Sequence, residues 1–249
     1  MRRLSADQIG KRFLPPNVSR RIAFQSDRDG DPAIFWQAAD GTGTAERLTK
    51  PETGTSHVPE SWSPKGDRFL FSVSKGITNS LWAFSLPDRK ATLLGSMDSV
   101  WPTGAVFSPD GEWVAYASRE TQQATTVVYV QPFPATGAKY QISKDSEDGH
   151  HPLWTADGRE LFFTAGPGRF SVVSVTTKPS FTFGIAEPVE ARISLASPFS
   201  RRPYDIGPDG KGLIGMRASD QTGSPTATTP QIQVVLNWTE ELRVRVPAK

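Results

Sequence analysis

The sequence predicts an all-β chain, a β-propeller of about five four-stranded antiparallel blades, and three observations carry that expectation. Gly and Pro number 21 each, 42 of 249 residues. Inside a helix they cost about 1 and about 3 kcal/mol respectively, so long helices are excluded. A Pro-x-Gly or Ala-Asp-Gly punctuation recurs with Ser63, Ser108, Thr155 and Gly207 in equivalent places, at steps of 45, 47 and 52 residues. Periods of that size with several strands per repeat mark propeller blades. The runs between are rich in Val, Phe, Trp and Tyr, and several alternate as half-buried strands do.

Each repeat reads as a meander. Its first strand ends on Trp62, Phe107, Trp154 or Ile206. In the turn that follows, Pro presets φ and Gly supplies the positive φ that a tight reversal needs. Second strands are expected at 68–73, 113–118, 160–164 and 212–216, and third strands at 81–86, 127–133, 170–176 and 232–238. Short fourth strands fall at 91–94, 139–142 and 188–193. Ahead of the first complete repeat, 21–26, 33–38 and 45–49 read as the last three strands of a partial one. Pro15-Pro16-Asn17-Val18-Ser19 stands where its first strand and turn would be. At the far end, 242–246 reads as a final strand or a frayed tail. The expected organisation is a poorly ordered basic leader, 1–19, and one propeller domain, 20–246. Its modules lie near 20–50, 57–95, 101–143, 150–194 and 202–246. Shared terminal strands would close the ring and remove exposed sheet edges. An open, incomplete array is the alternative.

Composition excludes several classes. Hydrophobic residues are 37% of the chain and Trp numbers seven, enough for a core and too much for wholesale disorder. No apolar run approaches the roughly 18 residues of a membrane helix, and the first residues hold no apolar signal region. The chain as written is expected in the cytoplasm, or outside it if it is a fragment of a membrane-anchored parent. With no Cys, disulfides, thiolate catalysis and Cys-based zinc sites are excluded. Net charge is +2, but Arg2, Arg3, Lys11, Arg12, Arg20 and Arg21 oppose only Asp7 near the start, so the rest is net negative. Nucleic acid is therefore not an expected partner.

The Ser-Pro-Asp-Gly turn, the run Phe24-Gln25-Ser26-Asp27-Arg28-Asp29-Gly30 and the ending Glu46-Arg47-Leu48-Thr49 resemble the TolB-type, WD-40-like β-propeller repeat. The resemblance covers about residues 20–238. A finer one lies in Tyr129-Val130-Gln131-Pro132-Phe133-Pro134, Leu161-Phe162-Phe163, Tyr204-Asp205-Ile206-Gly207-Pro208-Asp209-Gly210 and Val234-Val235-Leu236-Asn237-Trp238. These look like the C-terminal propeller of certain bacterial serine/threonine protein kinases, which implies a sensor or scaffold role.

Catalytic signatures are missing from the sequence. There is no kinase phosphate loop, His-Arg-Asp or Asp-Phe-Gly, and no Gly-x-Ser-x-Gly elbow of the kind found in peptidases that carry propellers. The expectation is a chain that is not itself an enzyme, though it could serve as an accessory domain of one. Asp27, Asp29 and Asp31 superficially suggest calcium, but counting from Asp27 the required Gly and acidic ligand fall on Pro32 and Ala38. His150 and His151 could ligate a metal only by converging in a loop, since neighbours on a strand point to opposite faces. No metal and no cofactor are expected.

In a meander, the second-to-third loops and the connections between blades share one face. That face carries His57, Asp98, Trp101, His150, His151, Arg201 and Arg202, with Asp27, Arg28, Asn79, Arg119 and Glu120 in matching hairpins. Function concentrates on such loops over a rigid scaffold. The expected site is this pore mouth, binding a protein, a peptide or a small polar ligand, with ordinary solvated loops as the alternative. A detached sensor half of a receptor-like kinase and a carbohydrate or small-molecule sensor are the other functional readings. The polar, Pro-broken insert 219–230 either covers the mouth or hangs off the rim.

Overall fold

A computed structural model describes residues 21–94, 99–100, 103–119, 125–144, 146–166, 169–189, 200–202, 204–206 and 213–215. The chain divides into two compact units, Met1–Arg217 and Ala218–Lys249, and every described residue belongs to the first. The described residues form strands and no helix. The fold is a TolB-like β-propeller of about five blades, built as successive antiparallel sheets.

Strands β1 (Arg21–Ser26), β2 (Ala33–Ala38) and β3 (Glu46–Arg47) make a three-stranded first sheet in sequence order. Strands β4 (Thr55–Trp62), β5 (Arg68–Lys75), β6 (Thr78–Ser85) and β7 (Lys90–Leu93) make the second. The third holds β8 (Val106–Phe107), β9 (Trp113–Ser118), β10 (Val127–Pro132) and β11 (Tyr140–Gln141). The fourth holds β12 (Gly149–Trp154), β13 (Glu160–Ala165) and β14 (Phe170–Thr176). Its outer strand comes in two pieces, β15 (Thr182–Phe183) and β16 (Glu187–Val189), both paired with β14. Strands β17 (Tyr204–Ile206) and β18 (Leu213–Gly215) open a fifth. The leader, the insert 219–230 and the strands expected at 232–238 and 242–246 lie outside the described residues.

The fourth sheet differs from expectation at its edge, where a single strand was placed at 188–193. Gly184 N donates to Ser174 O, yet Glu187 is already opposite Val172. Three steps on the outer strand match two on β14, so an extra residue splits the strand.

The punctuation owes its recurrence to a local hydrogen-bond circuit. Gly66, Gly111 and Gly158 close each turn through their amides onto the carbonyls of Ser63, Ser108 and Thr155, at 2.8, 2.9 and 3.0 Å. The hydroxyl of that first residue accepts from the amide five residues on: Arg68, Trp113 and Glu160, at 3.1, 3.0 and 3.0 Å. It also donates to an Asp of the turn, which is Asp67, Asp110 or Asp157. The three glycines sit at φ 68, 73 and 71, where other residues are strained. The turns also nest. A Cβ on Gly111 would lie 3.2 Å from Pro64 Cδ, and one on Gly158 3.5 Å from Pro109 Cδ. Pro and Gly thus pack each turn against the next blade.

Sheets meet face to face through apolar seams. Ala23, Ile34 and Leu48 pack on Trp62, Phe69, Phe71 and Phe84 of the second sheet. Leu70, Leu81 and Ala83 meet Phe107, Val114 and Tyr116 of the third. Val106, Val128 and Val130 meet Trp154, Leu161 and Phe163 of the fourth. Leu153 and Phe170 meet Tyr204 and Ile206 of the fifth. Because strand residues alternate faces, each central sheet feeds two seams, which is why its strands are apolar on both sides.

Candidate inner-strand site

The first strands of successive sheets converge. β4 and β12 both contact β8, and Arg201, just before β17, donates to the carbonyl of Pro59 on β4 at 3.1 Å across 142 residues of sequence. Two of these strands break register on the way. In β4, Pro59 faces Phe71 and Ser61 faces Leu70, which leaves Glu60 as an extra residue. In β12, His150 faces Thr164 and Leu153 faces Phe162, so one extra residue is accommodated at His151 and Pro152. His151 adopts φ 53, the left-handed region that side chains with a Cβ avoid. A bulge re-aims side chains that a regular ladder would hold on alternate faces.

Glu60 is fixed by hydroxyls. Its Oε1 accepts from Ser72 Oγ at 2.5 Å and from Thr103 Oγ1 at 3.3 Å, and those two hydroxyls lie 3.1 Å apart. Burial pushes the Glu60 carboxyl above its ordinary range. The positive charge of Arg201, the two hydroxyls and Arg202 act in the opposite direction.

The paired histidines have determined roles. His151 Nε2 lies 2.7 Å from Ser200 O, and a carbonyl only accepts, so Nε2 carries the proton. His151 Nδ1, 2.8 Å from His150 Nδ1, is then the acceptor of a hydrogen bond donated by His150. His150 is left with a bare lone pair on Nε2. Burial pushes His151 down to about 3, with the neighbouring His150 adding to the shift, and pushes His150 down to about 4. Tyr204 backs the pair: its hydroxyl donates to His151 O at 2.7 Å and lies 3.0 Å from Thr164 Oγ1. Burial raises that phenol to about 12.

The arginines are oriented by neutral groups. Arg202 donates through Nε to Tyr204 O at 3.2 Å and through Nη1 to Pro152 O at 2.8 Å. Among the described residues neither Arg201 nor Arg202 forms an ion pair with a carboxylate. Arg201 is exposed and Arg202 half-buried.

Of the residues placed at the mouth from sequence, the structure brings His150, His151, Arg201 and Arg202 together. The two histidines lie within an inner strand, not in a connecting loop, and they converge despite being neighbours because His151 leaves the extended region. His57 stands apart at the seam of the first two sheets. It is nine-tenths buried, with its ring 5.1 Å from Phe71, its amide on Pro32 O and Nδ1 without a partner. Burial pushes it down to about 4, with Asp31 opposing. Asp98 and Trp101 lie outside the described residues. Glu60, Ser72 and Thr103 were not anticipated. A usable signal was the x-Pro step in the two inner strands that bulge, at Val58-Pro59 of β4 and His151-Pro152 of β12. Away from this cluster, a concavity of about 570 Å³ lies between the β1–β2 turn, the 51–56 connection and the β5–β6 turn, lined by Asp31, Glu52, Ser56 and Ser74 among others. Among the described residues no group of His, Asp and Glu could hold a metal, and no helix is long and apolar enough to cross a membrane.

No family model matches the chain. The uncharacterized peptidase YuxL of Bacillus subtilis is 30% identical over 158 residues, 62% of this chain and 22% of that protein. TolB from Acinetobacter baumannii has the same fold, with TM-score 0.57 and 20% identity over 81% of this chain and 47% of that one. A puromycin-hydrolyzing peptidase of Mycobacterium tuberculosis superposes with TM-score 0.57 and 19% identity over 76% of this chain and 31% of its own. The chain therefore spans about a fifth of the curated relative, and less than half of either solved one. The expectation that it is not an enzyme is corrected here, because two of these three are peptidases. The physical reason is one of coverage: a stretch matching 22% of a peptidase need not contain the Gly-x-Ser-x-Gly elbow, so its absence carries no weight.

Proposed function

We propose that this chain is the substrate-handling propeller of a peptidase-type hydrolase and receives peptide at the inner-strand cluster. The observation that carries the reading is the pair of register breaks that turn Glu60 and His151 out of their ladders, in strands of two separate blades, beside Arg201 and Arg202. Bulges cost pairing, and they recur where a side chain is re-aimed for a task. The likeness to YuxL supplies the chemical class, and the polar lining suits a chain of amides, which both donate and accept hydrogen bonds. A kinase-linked sensor and a carbohydrate sensor have no counterpart among the three relatives.

Fluorescence polarisation with labelled hexapeptides of mixed sequence tests the reading. Saturable binding is expected, and Arg201→Trp should weaken it about tenfold or more by replacing the guanidinium held at Pro59 O with an apolar ring. Arg201 is exposed, so this variant should fold. If no hexapeptide binds the unmodified chain, or if Arg201→Trp binds all of them as well as before, the reading is wrong.

A further inference from the structure

We infer that the inner-strand cluster grips its ligand by a carboxylate, held by the guanidinium groups of Arg201 and Arg202. The inference rests on the peptide-binding reading above and adds a substrate class to it.

A guanidinium has five N–H donors. Arg202 spends two, on Tyr204 O and Pro152 O, and Arg201 spends one, on Pro59 O. These carbonyl contacts fix the two planar forks without neutralising them. Elsewhere on the molecule arginines do find carboxylates: Arg47 holds Asp31 at 2.6 Å, and Arg89 pairs with Glu46. The two guanidinium groups at the inner strands have none within ion-pair distance among the described residues.

Among the described residues the surroundings leave the positive charge in excess. Glu60 is the carboxylate nearest in effect, yet its Oε1 is committed to Ser72 and Thr103, and burial favours its neutral form. His150 and His151 are held neutral by their mutual hydrogen bond, since a second proton would place two Nδ1–H groups head to head. Oriented guanidinium groups with no carboxylate partner among the described residues, beside neutral imidazoles, suit a planar anion that accepts two parallel hydrogen bonds. A carboxylate is that group. In a peptide it comes from the free C-terminus or from an acidic side chain.

The test compares one labelled hexapeptide as the free acid, as the C-terminal amide, and as the amide with a single internal Glu, all against the unmodified chain and Arg201→Gln. The free acid or the Glu peptide should bind about tenfold tighter than the plain amide. Whichever does so names the source of the carboxylate. Arg201→Gln should erase the preference, so that the acid and Glu peptides bind it no tighter than the plain amide does. Equal binding of all three peptides overturns the carboxylate assignment while the peptide-binding reading stands. So does competition by inorganic phosphate as strong as that of the acid peptide. Failure of all three to bind overturns both.

Discussion

The tight turns and the inner strands they close lie a few residues apart in sequence and follow opposite rules. At Ser63, Ser108 and Thr155 the same hydroxyl, amide and carboxylate contacts recur from blade to blade, and every donor has its acceptor within five residues. At the inner strands the polar side chains do not repeat. Blade two offers Glu60, blade three Thr103, blade four His150 and His151, and the approach to blade five Arg201 and Arg202. Several of their partners come from other blades, and burial shifts the titration of Glu60, His150 and His151. Repetition marks where the scaffold gains its stability. Divergence at equivalent positions marks where one blade is asked to do something its neighbours are not.

Acid should break this difference open. His57, His150 and His151 are held at about 4, 4 and 3 when folded, against about 6.5 in an unfolded chain. Below 6.5 the unfolded chain takes up protons that the folded one refuses. The imidazoles' contribution is therefore complete above pH 6.5 and is lost as pH falls through 5 towards 4 and then 3. Urea unfolding should show a loss of about 2 kcal/mol or more between pH 7 and pH 5. The turns behave differently: Asp157, held below its ordinary range by the Thr155 hydroxyl and then the Arg159 amide, keeps its contribution until pH falls below the usual carboxylate range. A His57→Gln variant assigns the slope. If the pH dependence vanishes entirely in it, the inner-strand pair is not the acid-sensitive element.

A turn hydroxyl comes next in size. Ser108 is buried, accepts from Trp113 N at 3.0 Å and donates to Asp110 at 2.5 Å. Ser108→Ala should cost about 1–2 kcal/mol in urea unfolding at neutral pH, with peptide binding unaltered. Ser63→Ala should cost a similar amount, since it breaks the same circuit one blade earlier. Clearly unequal losses, or a change in binding, would show that the turns are not the interchangeable scaffold described above.

The turns were legible in the sequence because their hydrogen bonds span five residues or fewer. The strand order followed from them, since a tight reversal permits only an antiparallel neighbour. The inner cluster was only half legible. His150, His151, Arg201 and Arg202 stood out as unusual side chains near the repeat boundaries, but alternation along a strand predicted that the two histidines diverge. One backbone angle, φ 53 at His151, reverses that, and periodicity cannot reveal it. Glu60 was not singled out in the sequence, because its surroundings depend on Ser72 across a bulge and on Thr103 from the next blade. The broken outer strand of the fourth sheet was hidden for the same reason: register against a partner is not a local property.

The smallest effect sharpens the comparison most. Glu60 is held above its ordinary range, so when folded it keeps a proton that the unfolded chain has released. Its favourable contribution is present below about pH 4.5 and is lost as pH rises through the folded value. Glu60→Gln keeps an acceptor for Ser72 and Thr103 and removes the charge that burial penalises. The variant should match the parent near pH 4 and exceed it by up to about 1 kcal/mol at pH 8, read as a shift in urea midpoint. If Glu60→Gln is instead less stable at pH 8, Arg201 and Arg202 already compensate the carboxylate fully. The cluster would then be as self-satisfied as the turns, with no positive charge left over for a ligand.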